Sequence, residues 1–320
     1  MSQTSAKPFD SGWLSLRDGA EVYWEVSGNA DGVPLLWLHG GPGTGLGSGG
    51  YKRQPDPEKW LIIGLDQRGC GRSRPLANTD GFDMETLRMP ALVGDLEQLR
   101  EHLGVDRWLI VGGSFGSTLA MAYGQTHPHR VIAFVLMAIA DGSRDYVEWI
   151  SEGVSRIFPE AWVEFEQGVD RHPGETLLDT YVRHLSHPDT AVRERAALAW
   201  CTWEDAHMQI PGGLKPSLAA RDPEWRQVYA LQVAWSWATQ FSLDEQGALG
   251  RLDRISHIPA VLVHGCLDIS GPARGPWMLH QQWPASRLLI IEDEGHGGPQ
   301  MTATWRAALE DLHQELQLGT

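Results

Sequence analysis

Short apolar runs with the length of β-strands recur along the first 140 residues and again near the end of the chain. They lie at residues 35–38, 61–65, 108–111, 131–137, 260–263 and 288–291, and Gly, Pro, Asp or His flanks most of them. Nearly continuous apolar runs of this length are typical of strands buried on both faces of a parallel sheet. The pattern therefore predicts six strands in one mostly parallel sheet.

Helical patterns separate these runs. Leucines at 92, 96, 99 and 103 recur at helical spacing before Gly104, and residues 117–127 form a second helical pattern that Pro128 ends. Near the C-terminus, apolar residues at 305, 309, 312 and 316 form one stripe of a predicted helix. Near the N-terminus, residues 13–25 predict an antiparallel hairpin that turns near Asp18. Strands that alternate with helices predict an α/β fold with a doubly wound, mostly parallel sheet.

The pattern changes between residues 142 and 253, where helical and polar residues dominate. Strand-like alternation does not occur there, and 7 of the 15 tryptophans fall in this stretch. We interpret it as a helical cap domain, 142–253, inserted into a core domain formed by residues 1–141 and 254–320.

Charge and cysteine content restrict the classes of partner and the compartment. A formal net charge of −15 disfavours nucleic acid and anionic membranes, because both require a basic surface. Three widely spaced cysteines indicate neither a disulfide framework nor a zinc site. Residues 1–11 are polar and unlike a secretion signal, and the longest strongly apolar run, 131–140, is about half of what a membrane helix needs. We expect a soluble cytoplasmic protein.

The sequence GGSFG at 112–116 follows a predicted strand and precedes a predicted helix. In that context a G-x-S-x-G pattern forms a sharp turn that exposes the serine hydroxyl as a nucleophile. The flanking glycines leave room for the neighbouring backbone. We predict that Ser114 is the nucleophile, and the alternative is an inert serine in a glycine-rich turn.

A serine nucleophile needs a base and an orienting acid. Asp268 lies just beyond the strand at 260–263, and His296 follows the next strand. The carboxyl ends of these strands meet at one edge of the sheet, and the order Ser, Asp, His is that of the α/β-hydrolase fold. We predict the triad Ser114, Asp268 and His296, with Asp141 as the rival acid because it also follows a strand.

The sequence HGGPG at 39–43 follows another strand. Its Gly and Pro content alone would explain a turn. Its functional interpretation is an oxyanion hole, in which the N–H groups of Gly41 and Phe115 donate to the developing oxyanion.

Four blocks together resemble the proline iminopeptidase (prolyl aminopeptidase) family of α/β-hydrolases. They are HGGPG at 39–43, DQRGCGRS at 66–73, GGSFGSTLA at 112–120 and AYGQTHP at 122–128. The family usually has Trp where this chain has Phe115. The resemblance implies an α/β-hydrolase fold with a helical cap. It also implies removal of an N-terminal residue, preferably proline, from small peptides, without a metal or another cofactor.

The cap sequence AWCTWE at 199–204 resembles the first acidic element with which the family holds the free amine of its substrate. The resemblance implies that Glu204 anchors this amine. The cap tryptophans, Trp203 foremost and with it Trp200, Trp235 and Trp237, are candidates to line an apolar pocket for the proline ring. The structural alternatives are a solvated helix glutamate and a tryptophan that packs between cap helices. A second acidic element of the family is replaced by the apolar run 231–237.

Three other functions remain open. The same triad could act on amino-acid amides or small esters, or the chain could be a binding protein with a catalytically dead hydrolase fold. A Rossmann dehydrogenase is disfavoured, because no G-x-G-x-x-G opens a helix after the first strand.

Overall fold

An eight-stranded sheet forms the centre of the computed structural model, which describes residues 7–208 and 217–318. The first six residues of the polar N-terminal segment lie outside this range. The strand order is β1-β2-β4-β3-β5-β6-β7-β8, with bounds Asp10–Ser15, Glu21–Gly28, Val33–Leu38, Trp60–Leu65, Trp108–Gly113, Val131–Met137, Ala260–Gly265 and Ser286–Ile291 for β1 to β8. Strands β3 to β8 run parallel, whereas β1 and β2 pair antiparallel at one edge. The predicted sheet and hairpin are confirmed.

Nine α-helices are assigned among the described residues. Their bounds for α1 to α9 are Met89–His102, Phe115–Thr126, Arg144–Ser151, Pro159–Gln167, Leu177–Leu185, Thr190–Met208, Pro223–Ala238, Arg274–Gln281 and Pro299–Leu318. Helices α3 to α7 lie between β6 and β7, in the stretch predicted to be the cap. The boundaries of that cap, 142 and 253, stay a prediction.

Both faces of the sheet are covered, as the continuous apolar runs predict. In β5, Leu109 packs in the cluster that includes α9, whereas Ile110 packs in the cluster that includes α1 and α2. Successive side chains of a strand point to opposite faces, so each central strand contributes to two apolar layers. These layers fix the strand ends from which the candidate site is built.

Strand β8 differs from the expectation of a strand buried on both faces. It lies at the edge of the sheet, and Leu289 and Ile290 are 39 % and 38 % exposed. An edge strand has only one neighbouring strand, so part of its surface stays exposed. The hydrophobicity of the sequence does not show which strand lies at the edge.

None of the helices within the described ranges has the length and apolar character needed to cross a bilayer.

Candidate active site

Ser114 occupies the sharp turn between β5 and α2. Its backbone has φ 52° and ψ −126°, a conformation that non-glycine residues rarely adopt. Its N–H donates to Met137 O at the end of β6, at 3.0 Å. A Cβ on Gly116 would lie 2.2 Å from Leu38 O, so only glycine lets α2 start this close to β3. The turn thus has the strained geometry of a nucleophile elbow.

His296 and Asp268 form a direct pair. The distance from His296 Nδ1 to Asp268 Oδ2 is 2.8 Å, and both residues are buried. Asp268 Oδ1 also accepts from Gly271 N at 3.1 Å. Burial opposes ionisation of Asp268, but the charge and hydrogen bond of His296 outweigh it and lower the pKa of this carboxyl. For His296, burial lowers the pKa, but Asp268 outweighs that effect and raises it.

Asp141, the rival acid, lies in a different place. Its Oδ1 accepts from Ser143 N at 2.9 Å, and it lines an adjacent, open cleft of about 1520 Å³ whose lining does not include Ser114. The carboxylate that contacts His296 is therefore that of Asp268.

The HGGPG loop approaches Ser114 closely. A Cβ on Gly40 would lie 3.0 Å from Ser114 Cβ and 3.0 Å from Gly113 O, so the backbone of this loop runs directly against the elbow. Gly41 has φ 106°, which favours glycine, and Phe115 is the first residue of α2. The two predicted oxyanion donors, Gly41 and Phe115, therefore flank the same serine.

The DQRGCGRS run supports this loop rather than entering the cavity. Gln67 Nε2 donates to His39 O at 2.8 Å, and Gln67 N donates to His39 Nε2 at 3.1 Å. Arg68 forms a two-pronged pair with Asp95 of α1, at 2.9 and 2.6 Å. Such forked pairs fix orientation, so the run holds the HGGPG loop in place.

A cavity of about 480 Å³ joins the sheet edge to the inserted helices. Ser114, His296, Gly41 and Phe115 line it from the sheet, and Glu204 lines it from α6. Within the described residues, Ser114 Oγ makes no hydrogen bond to His296 within 3.5 Å. In enzymes without bound substrate this contact is often long and tightens when substrate binds.

Glu204 is buried at 3 % exposure and is held by two donors. Trp200 Nε1 donates to its Oε1 at 2.5 Å, and the Tyr229 hydroxyl of α7 donates to its Oε2. Burial raises the pKa of Glu204 to about 7, although both hydrogen bonds act in the opposite direction. Glu204 is therefore a buried carboxyl group that lines the cavity of the predicted nucleophile, and not a solvated helix residue.

Trp203 lies behind the cavity wall. It is 1 % exposed and packs on Phe165, with ring centroids 5.4 Å apart, and on Trp162 at 5.3 Å. It is not among the described residues that line the cavity, whereas Trp225 and Trp237 are. Consecutive residues of a helix point in directions about 100° apart, so Glu204 and Trp203 do not share one face.

Three polar residues that line the cavity were not predicted from the sequence. They are His207 of α6, Tyr229 of α7 and Ser270 of the loop that carries Asp268. Glu204 and His207 are three residues apart and therefore lie on one face of α6. This spacing is the sequence feature from which His207 could have been predicted. Tyr229 and Ser270 carry no motif of their own.

Comparisons with known proteins agree with this geometry. The chain matches the family model of the alpha/beta hydrolase fold over residues 33–299. It is 42 % identical over 297 residues to a probable proline iminopeptidase of Streptomyces coelicolor, covering 91 % of this chain and 90 % of that protein. It is 37 % identical over 311 residues to the proline iminopeptidase of Neisseria gonorrhoeae, covering 96 % and 97 %.

Solved structures share the fold at lower identity. A proline iminopeptidase-related protein of Thermus thermophilus superposes with a TM-score of 0.60 at 20 % identity, over 95 % of this chain and 98 % of that chain. An esterase of Exiguobacterium antarcticum gives a TM-score of 0.60 at 18 % identity, over 95 % and 100 %. These two show the α/β-hydrolase fold, and the sequence relatives narrow the assignment. The chain belongs to the proline iminopeptidase family of α/β-hydrolases.

Proposed function

We propose that the protein is a serine aminopeptidase that releases an N-terminal residue, preferably proline, from small peptides through an acyl-enzyme. The observation that supports this most is the shared cavity. The predicted nucleophile and base line it from the sheet, and a buried carboxylate faces it from α6. The relatives named proline iminopeptidase support the choice of substrate.

In the first step Ser114 Oγ attacks the scissile carbonyl carbon and His296 takes its proton. Asp268 holds the imidazole through Nδ1 and stabilises the imidazolium that forms. The N–H groups of Gly41 and Phe115 stabilise the tetrahedral oxyanion. His296 then gives its proton to the leaving amine of the shortened peptide, and the acyl-enzyme remains.

In the second step a water molecule replaces the leaving amine. His296 removes its proton while the water oxygen attacks the acyl carbon, and Ser114 leaves with that proton. The chain's own side chains and water carry every step, so the proposal requires no metal or other cofactor.

Glu204 anchors the substrate's free amine. A protonated amine beside a carboxylate in a poorly solvated cavity is attracted more strongly than the same pair in water. The amine of an N-terminal residue is separated from the scissile carbonyl carbon only by Cα. An anchor that lines the same cavity as Ser114 therefore selects the first residue of a peptide.

The proposal includes the domain division and the location of the enzyme. Residues 142–253 act as a cap that closes over a core formed by 1–141 and 254–320. The cytoplasm is the expected compartment, because the three cysteines are free and two of them, Cys70 and Cys201, are buried. The acidic net charge fits an enzyme whose partners are small peptides with a free amine rather than nucleic acid or membranes.

One observation favours a second candidate, an amidase or esterase acting on amino-acid amides or small esters. The run 231–237 contains no Asp or Glu and belongs to the apolar packing of α7, so Glu204 has no carboxylate neighbour from that run. Rates with prolyl, alanyl and amine-free anilides, compared side by side, distinguish the two candidates. A proline-preferring aminopeptidase cleaves the prolyl anilide fastest, an amidase of amino-acid amides cleaves the prolyl and alanyl anilides alike, and a general amidase or esterase also accepts the amine-free one.

Replacing Glu204 with Gln is expected to lower kcat/KM for a prolyl anilide by about 10- to 100-fold, because one charge-assisted hydrogen bond is lost. Cleavage of the cyclopentanecarbonyl anilide, in which carbon replaces the ring nitrogen, should not change. Steady-state kinetics with both substrates measure the difference.

The matched control is Glu194→Gln, on the same helix but paired with Arg226 and not among the cavity residues. It should leave both rates near wild type. A wild-type enzyme that cleaves the amine-free substrate as fast as the prolyl one would contradict the amine anchor.

A further inference from the structure

The imidazole of His207 is a buried polar group in the substrate cavity that the catalytic steps do not use. It is 2 % exposed, and its Nδ1 lies 2.9 Å from Ser270 Oγ. Its other nitrogen, Nε2, is buried and has no hydrogen-bond partner among the described residues. A buried nitrogen without a partner is costly, so its retention points to a ligand that satisfies it.

The position of His207 relates it to the amine anchor. Glu204 and His207 are three residues apart on α6, which puts both on one face of the helix, and both line the cavity that contains Ser114. Ser270, the partner of His207, comes two residues after Asp268. His207 therefore bridges the amine anchor and the loop of the catalytic acid.

The substrate amine needs more than one acceptor. A protonated N-terminal proline has two N–H donors, and a protonated primary amine has three. The two oxygens of Glu204 already accept from Trp200 and Tyr229, and residues 231–237 of α7 contain no Asp or Glu. An ammonium N–H left without an acceptor inside the cavity would weaken binding.

We infer that His207 Nε2 is a second acceptor for the substrate's protonated amine, beside Glu204. The inference rests on the proposed aminopeptidase function. With the ring proton on Nδ1, donated to Ser270 Oγ, Nε2 presents its lone pair. Burial, with a smaller contribution from the charge of His296, lowers the pKa of His207 to about 3, so the ring stays neutral and does not repel the ammonium. A neutral acceptor thus supplements the carboxylate of Glu204.

The test compares His207→Met with His207→Gln, using the prolyl and cyclopentanecarbonyl anilides. His207→Met removes the acceptor and is expected to reduce kcat/KM for the prolyl substrate by about tenfold or more, mainly through KM. The amine-free substrate should be cleaved as by wild type. His207→Gln carries an amide oxygen close to the position of Nε2 and should recover most of the loss.

His184→Met is the matched control, because His184 is another buried histidine of the inserted helices and is not among the cavity residues. It is expected to change the two rates equally or not at all. Should His207→Met fail to fold, Ser270→Ala still tests the idea. Without its partner, the ring can place the proton on Nε2, and the prolyl rate should fall selectively.

Two outcomes would overturn the inference. One is an equal loss on both substrates in the His207 and Ser270 variants, which indicates a structural role. The other is an unchanged preference for the prolyl substrate in His207→Met. Either result leaves the proposed function standing, whereas a wild-type enzyme without preference for the free amine refutes the proposed function itself.

Discussion

Ser114→Ala should reduce kcat for a prolyl anilide by about a million-fold, the loss found when the nucleophile of a serine triad is removed. Ser114 lies in the strained turn between β5 and α2 and lines the cavity that it shares with His296. Binding should persist, because the amine anchor and the oxyanion donors remain. Single-turnover kinetics with the purified variant measure the rate.

Ser143→Ala is the matched control for this change. Ser143 caps α3 by accepting from Tyr146 N at 3.2 Å, and it is not among the described residues that line the cavity of Ser114. Its loss should cost about 1 kcal/mol of stability without affecting turnover. A Ser114→Ala enzyme with near-normal activity would mean that another group is the nucleophile.

Asp268→Asn is expected to lower kcat by about ten-thousand-fold, because Asn stabilises the wrong tautomer of the histidine and offers no charge to the imidazolium. His296 acts as a base only when neutral, so kcat/KM falls as the pH drops through its pKa. Asp268 raises that pKa against the effect of burial. Removing the charge should therefore shift the acid limb of the residual activity to lower pH.

Asp141→Asn is the matched control, since Asp141 also follows a strand but binds Ser143 N and lines the other cleft. Its kcat and its pH profile should stay close to those of the wild type. Equal losses of kcat in Asp268→Asn and Asp141→Asn would contradict the assignment of Asp268, rather than Asp141, as the catalytic acid.

The residues at the sheet edge could be predicted because strand ends are local features. Ser114, Asp268 and His296 each follow an apolar run with a clear boundary, and a parallel sheet collects such ends at one edge. The structure brings Asp268 and His296 into contact there and puts Ser114 in the same cavity. Local sequence and sheet topology together were therefore enough to predict where these three residues lie in the fold.

The cap side of the cavity could be predicted only in part. Glu204 could be predicted to line the cavity because it belongs to a motif that resembles one of the family. Trp203, from the same motif, instead packs against Phe165 and does not line the cavity. Which face of α6 meets the cavity depends on how α4, α5 and α7 pack around it, and these contacts join residues far apart in the chain. Tyr229 enters the site by that packing alone, so no local pattern singles it out, whereas the three-residue spacing from Glu204 on α6 was a local signal for His207.

Labelling with a fluorophosphonate probe, followed by peptide mapping, tests the central claim most directly, because the probe reacts only with an activated nucleophile. We expect one phosphonate per chain, attached to Ser114, with labelling strongly reduced in Asp268→Asn and activity lost in step with modification. A wild-type protein that stays unlabelled, or carries the adduct on another residue, would contradict the assignment of Ser114, Asp268 and His296 as the catalytic triad.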